Sequence, residues 1–189
     1  MGTVFFDSII AIALAVINRD KGIKRLSLRA IAREAGCSHV NLYHYFADLQ
    51  ALLWHVYCRA LNEYRDFCVT AMQSRGSGDS IMSAFAKASV DFANHNEGWY
   101  RLIWLEELDS QPPPFVLEAI GRISGEYDAF AAAAFDGTAA SEKADIYLSW
   151  LQGKISILVS GRNLGDRSQA ERSIIKSAAS LEKLLSGYR

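Results

Sequence analysis

The residues best equipped for chemistry sit in one short run, Leu28–Phe46, which reads LRAIAREAGCSHVNLYHYF. Within it, His39, Val40, Asn41 and His44 are the positions not needed for packing. An asparagine pairs bidentately with adenine, a histidine donates to guanine and a valine meets a thymine methyl. The chemistry implied is recognition of base edges rather than bond making. Lys24, Ser27, Arg29, Ser38 and Tyr43 are placed to hold backbone phosphates, which orient a protein without specifying sequence. The four histidines of the 189-residue chain are scattered, and His55 has no acidic partner at helical spacing. No G-x-S-x-G, H-E-x-x-H or glycine-rich phosphate loop occurs. Neither an enzyme, a metal site nor a cofactor is expected. Cys37, Cys58 and Cys68 are odd in number and lack C-x-x-C spacing, which suits reduced thiols in a cytoplasmic protein.

The elements that must position these residues follow from sterics. Two short helices joined by a tight turn must cross at a steep angle to pack. Ala32 falls where they approach, and a larger side chain would wedge them apart. Gly36 falls at the turn, where positive φ is needed. Ile31, Ala35, Cys37, Leu42 and Tyr45 fall on the faces expected to meet in a miniature core. Ser27 and Ser38 are expected to cap the two helices. The second helix then presents a positively polarised N-terminus suited to phosphate. Charge agrees with this reading. Residues 1–47 carry six basic and three acidic side chains, whereas the whole chain has a net charge of −1. Five of the six basic residues lie between Lys21 and Arg33, with no acid among them. Such a patch attracts a polyanion.

Residues from Asp7 to Leu53 resemble the DNA-binding domain of the tetracycline-repressor (TetR/AcrR) family. The matching pieces are Ile10-Ala11 with Ala15, Gly22-Ile23, Leu28-Arg29-Ala30-Ile31-Ala32 and Ala35-Gly36-Cys37-Ser38. Leu42-Tyr43-His44-Tyr45-Phe46 and Ala51-Leu52-Leu53 complete the set. The resemblance implies a dimeric, usually repressing regulator that a ligand releases from double-stranded DNA. One departure concerns the start of the fourth helix: the family commonly places Lys and Glu there, and this chain has Leu49 and Gln50. The missing lysine implies a lost phosphate contact.

The remainder reads as helical throughout. Only three prolines are present, side by side at 112–114, and half the residues are hydrophobic. The expectation is an all-α chain of about nine helices, with a three-helix DNA-binding domain over 1–47 and a ligand-binding and dimerisation domain over 48–189. Helix one is expected from Asp7, as its cap, to Arg19, and Gly22 is expected to end it. Asp48 and Asp79 are expected to cap helices four and five. His95–Gly98 reads as a turn, Trp99–Leu108 as helix six and Phe115–Phe135 as helix seven. A break at Asp136-Gly137 precedes helix eight, 141–163, and helix nine covers Ser168–Leu185.

Helix eight is apolar on nearly every side, which a monomer of this size covers poorly. Helix nine carries Ile174, Ala178, Leu181 and Leu185 as a stripe. Together they suggest a homodimer joined by helices eight and nine, which places two recognition helices about 34 Å apart on a near-palindromic site. Trp99, Tyr100, Trp104, Tyr127, Phe130 and Trp150 concentrate aromatic surface in helices six to eight. With Glu107, Gln152 and Lys154 they form the candidate site for an unidentified small-molecule effector. The apolar stretch Ile9–Ile17 is shorter than the roughly 20 residues that span a membrane. Two other readings are compatible with the residues: a helical interaction protein, or a redox-responsive regulator without a small-molecule ligand.

Overall fold

The computed structural model describes residues 2–135, 139–162 and 165–187. Among the described residues every regular element is an α-helix: α1 (Gly2–Asp20), α2 (Leu28–Glu34), α3 (His39–Tyr43), α4 (Leu49–Gln73), α5 (Ile81–His95), α6 (Glu97–Trp104), α7 (Pro114–Ala134), α8 (Ala140–Val159) and α9 (Arg167–Gly187). The all-α reading and its nine helices hold among the described residues. The expected break at Asp136-Gly137 lies outside the described residues, as does Asn163, the expected end of helix eight.

Several boundaries moved, each for a local reason. Helix α1 starts well before Asp7, which is an exposed interior position and not a cap. Phe5 and Phe6 anchor the extra turn, with ring centroids 5.2 Å from Tyr45 and 5.1 Å from Phe46. Tertiary packing there outweighs the capping preference of an aspartate. At the other end Lys21 adopts φ 54°. The left-handed turn after α1 therefore falls one residue before the expected glycine. Helix α5 is capped by Ser80 rather than Asp79: the Ser80 hydroxyl accepts the Ser83 N–H at 3.0 Å. The expected turn at 95–98 is only Asn96, since α5 runs through His95 and α6 opens at Glu97. Helix α6 in turn stops at Trp104.

By packing, the chain divides into two compact units, with the divisions falling inside α4, between α5 and α6, and inside α7. The first holds residues up to Glu63 together with Asn96–Ala119. Its core joins Ile9, Ala13 and Ile17 of α1 to Ile31, Leu42, Phe46, Leu52 and Val56, all buried. Each such large side chain contributes about 2 kcal/mol of hydrophobic stabilisation. Helix α6 packs on α1, and Gly98 sets how closely. A Cβ there would lie 2.6 Å from Asn18 Cα and from the Ile17 carbonyl carbon, and against the Ile17 carbonyl oxygen. The Gly98 N–H donates to Asn18 Oδ1 at 3.1 Å, and the Trp99 indole N–H donates to the Leu14 carbonyl at 2.8 Å. Beside them the buried Glu97 carboxylate pairs with Lys21 at 3.1 Å and with Arg101 at 3.4 Å. His55 of α4 stacks on Phe115 at 4.5 Å and 12°, with the edges of Phe6 and Phe46 closing around it.

The second unit holds Tyr64–His95 and Ile120–Arg189, of which the residues described reach Gly187. Helix α5 is its centre and packs on α8 and α9. Met82, Phe85, Ala86, Ser89, Val90, Phe92 and Ala93 are all buried. Buried polar groups are satisfied internally, as they must be. The Ser89 hydroxyl donates to the Phe85 carbonyl at 2.8 Å, so the Tyr64 hydroxyl, 2.9 Å away, donates to Ser89. The Tyr147 hydroxyl donates to the Met82 carbonyl at 2.8 Å. Arg65 of α4 pairs with Glu126 of α7 at 2.6 Å.

Candidate DNA-binding surface

The surface is built from two capped helices and one glycine turn. Ser27, in extended conformation, accepts the Ala30 N–H with its hydroxyl at 3.1 Å and so starts α2. Arg33 and Ala32 carbonyls accept the N–H groups of Gly36 and Cys37 at 3.2 and 3.0 Å, which closes the turn. Gly36 sits at φ 64°, the left-handed region that a side chain disfavours. Ser38 then accepts the Val40 N–H at 3.2 Å and starts α3. Ala32 is 2% exposed between the two helices, with Ile31 and Leu42 fully buried on either side. Ala35 and Cys37 are only half-buried. Tyr45 is 40% exposed, so the fourth core side chain is Phe46 and not Tyr45. The Tyr45 and Phe46 N–H groups both donate to the Leu42 carbonyl, at 3.0 and 2.9 Å, which turns the chain toward α4. Asp48 caps α4 by accepting the Ala51 N–H at 2.7 Å.

This arrangement leaves one flank of α3 bare. His39, Val40, Asn41 and His44 are all exposed, and Tyr43, 56% exposed, lies edge-on to His39 at 6.4 Å. Lys24, Ser27, Arg29 and Ser38 are exposed as well. Of the five clustered basic residues, Lys21 is committed to Glu97. Lys24, Arg25, Arg29 and Arg33 are exposed and enter no ion pair among the described residues. The two acids beside them in sequence, Asp20 and Glu34, share one guanidinium. Arg19 bonds Asp20 at 2.9 Å and Glu34 at 3.1 Å, which holds the Asp20 carboxyl below its ordinary range.

At the start of α4, Leu49 is half-buried and offers no phosphate donor. Gln50 instead turns inward and donates to Asp109 at 3.2 Å, leaving its own carbonyl oxygen buried without a partner. Trp54 donates to Ser110 at 2.8 Å one turn later. These contacts from the segment after α6 support α4, the helix that follows α3. Sequence reasoning did not find them, because nothing in the spacing of Asp109 or Ser110 announces a partner some sixty residues earlier.

The candidate effector residues fall in both packing units. Trp99, Tyr100, Trp104 and Glu107 belong to the first. There Tyr100 is fully buried with Trp104 at 4.6 Å, Trp99 is tied to Leu14, and Glu107 is exposed. Tyr127, Phe130, Trp150, Gln152 and Lys154 belong to the second. Tyr127 donates to the Ala144 carbonyl at 3.0 Å, and burial, reinforced by Asp145 and Asp128, pushes its phenol up. Trp150 and Lys154 line a groove of about 170 Å³ between α8 and α9, walled by Leu158 and Ile174. The outer faces of these helices expose Ile146 and Ile157, each 48% exposed, and Leu184, 71% exposed.

Comparison with known proteins places this geometry. Residues 9–56 match the sequence profile of the bacterial regulatory proteins of the tetR family. The HTH-type transcriptional regulator YobS of Bacillus subtilis is 31% identical over 99 residues, 52% of this chain, and the match spans only 51% of that protein. An HTH-type transcriptional regulator of Haemophilus influenzae is 25% identical over 169 residues, covering 88% of this chain and 80% of its own. The TetR-family regulator PfmR of Thermus thermophilus superposes with a TM-score of 0.64 at 17% identity, over 97% of this chain and 96% of its own. That last likeness is one of fold, and it extends past the segment that the profile covers. Residues 9–56 thus match the helix-turn-helix of the tetR family in sequence, and the helices beyond them share the fold of a TetR-family regulator.

Proposed function

We propose that the chain is a DNA-binding repressor that acts as a homodimer and leaves a near-palindromic operator when a small molecule binds. Residues 1–47 serve as the DNA-binding domain and 48–189 as the ligand-binding and dimerisation domain. The observation that carries this reading is the bare flank of α3, held outward by two serine caps and the Ala32–Gly36 turn. His39, Val40, Asn41 and His44 read base edges in the major groove. Lys24, Ser27, Arg29, Ser38 and Tyr43 hold phosphates on either side.

Dimerisation through α8 and α9 covers Ile146, Ile157 and Leu184, whose exposure in a lone chain is otherwise unaccounted for. An unidentified small-molecule effector binds in the helical domain. The protein works in the cytoplasm, where its thiols stay reduced and DNA is accessible.

Fluorescence anisotropy with labelled genomic fragments, followed by a defined duplex, tests the reading. Lys24 and Arg29, two cations per protomer and four per dimer, give a log–log salt slope of about −4 if each meets a phosphate. Tyr43→Ala should weaken binding to every sequence alike. Asn41→Ala should relax preference at one base position, by about 5- to 150-fold in discrimination. Absence of binding at low salt would favour a helical interaction protein. An unchanged sequence preference in Asn41→Ala would remove the assignment of base-reading residues.

A further inference from the structure

A second concavity lies far in sequence from the recognition surface and shares no residue with the aromatic set. It is a groove of about 270 Å³ formed by the end of α4, the loop after it and the outer face of α5, all within the second packing unit. Its floor exists because the sequence places alanine where the helices face each other: Ala71 on α4, Ala84 and Ala88 on α5. One wall is Phe67, 42% exposed, whose ring is fixed from behind by Phe92 at 5.8 Å. An exposed aromatic face held rigid by a buried one costs little conformational entropy when a ligand covers it.

The rim carries both signs of charge. Arg75 and Lys87 supply two cations, and Asp79 and Asp91 supply two anions. Arg75 donates one guanidinium N–H to the Met72 carbonyl at 2.6 Å, which fixes it over the end of α4 and leaves its other donors available. Lys87 and Asp91 stand four residues apart on α5, and yet they form no ion pair. Neither does Asp79, among the described residues. Opposite charges that share a groove without neutralising each other can each take a complementary group from a ligand. A ligand of a single sign would gain from one pair and be repelled by the other.

We propose that this groove binds a small zwitterion with a compact apolar or aromatic body, of the chemical class of a free α-amino acid. The carboxylate meets Arg75 and Lys87, the ammonium meets Asp79 and Asp91, and the side chain lies on Phe67 over the alanine floor. The volume is near the lower end for small-molecule sites, which suits a ligand of amino-acid size.

Two-dimensional amide NMR on the full chain tests this, with L-phenylalanine as the probe. Saturable shifts confined to residues of the groove are expected, with a dissociation constant of about 1 mM or tighter. Phenylacetate lacks the ammonium and phenethylamine lacks the carboxylate, so each should bind at least about tenfold more weakly. Lys87→Ala and Asp91→Asn are surface changes that leave the fold intact, and each should weaken the probe by a similar factor. Ala84→Leu, which fills the floor, should abolish the shifts. No saturable shift at about 10 mM probe would overturn the proposal. So would equal binding of the two singly charged analogues, or unaltered affinity in Asp91→Asn.

Discussion

Replacing Gly98 by alanine should be among the most damaging single-methyl changes available to this chain. The added Cβ would lie 2.6 Å from Asn18 Cα and from the Ile17 carbonyl carbon, where carbon atoms normally stay at least about 3.5 Å apart. All these atoms belong to the backbone, so no side chain can swing aside. Helix α6 must retreat from α1 by about 1 Å, a gap that forfeits a quarter to a half of the dispersion attraction across it. The retreat also stretches two hydrogen bonds, Gly98 N–H to Asn18 at 3.1 Å and Trp99 to Leu14 at 2.8 Å. Overpacking contributes about 1–3 kcal/mol and the two bonds about 1 kcal/mol each. Against this stands the better helix propensity of alanine, at most about 1 kcal/mol. The steric side wins, with a net loss of about 2–4 kcal/mol. At a urea dependence of about 2 kcal/mol per molar, the unfolding midpoint should fall by about 1–2 M. Tryptophan fluorescence reads the transition, since Trp99 sits at this joint. A midpoint within about 0.3 M of the parent would refute the close-approach argument.

Two further outcomes follow from other sites. His55 is enclosed by the rings of Phe6, Phe46 and Phe115, and burial lowers its pKa with no charged group opposing. The unfolded chain therefore takes up this proton first, so the stability owed to the neutral ring is present above pH about 6.5 and is lost as pH falls below it. Urea midpoints at pH 7.5 and 5 should differ less in His55→Phe than in the parent, and an identical difference would exclude His55 as a source. Burial pushes the Cys68 thiol up to about 12, and its side chain is enclosed near Ser89. A thiol reagent should consequently label Cys68 only after denaturation; rapid labelling of all three cysteines in the native protein would contradict that packing.

The helix-turn-helix was legible in the sequence because local sterics specify it. Ser27, Ser38, Ala32 and Gly36 each answer a requirement that involves only their neighbours, and each takes the expected place. Tyr45 and Phe46 illustrate the limit. Both are large, aromatic and adjacent, and their burial is settled by tertiary contacts with α1 and with His55 of α4. The same limit governs the helical domain. Periodicity located α5 to α9 within a few residues. It did not reveal that α6 packs on α1, because that depends on Gly98 meeting a carbonyl some eighty positions away. Nor does a tryptophan's presence in a sequence say whether its indole lines a cavity or, as at Trp99, bonds a neighbouring helix.

In the proposed function each of the two serine caps has a double duty. The oxygen that stops α2 or α3 from fraying keeps its own proton, and that proton is free to turn outward toward a phosphate. In that reading anchoring and folding share a single atom at the start of each of the two helices. Deleting the hydroxyl confounds grip with scaffold, whereas a carboxylate in its place would keep the helix start and turn the grip into repulsion. Whatever docks here is met by groups whose orientation was settled when the chain folded.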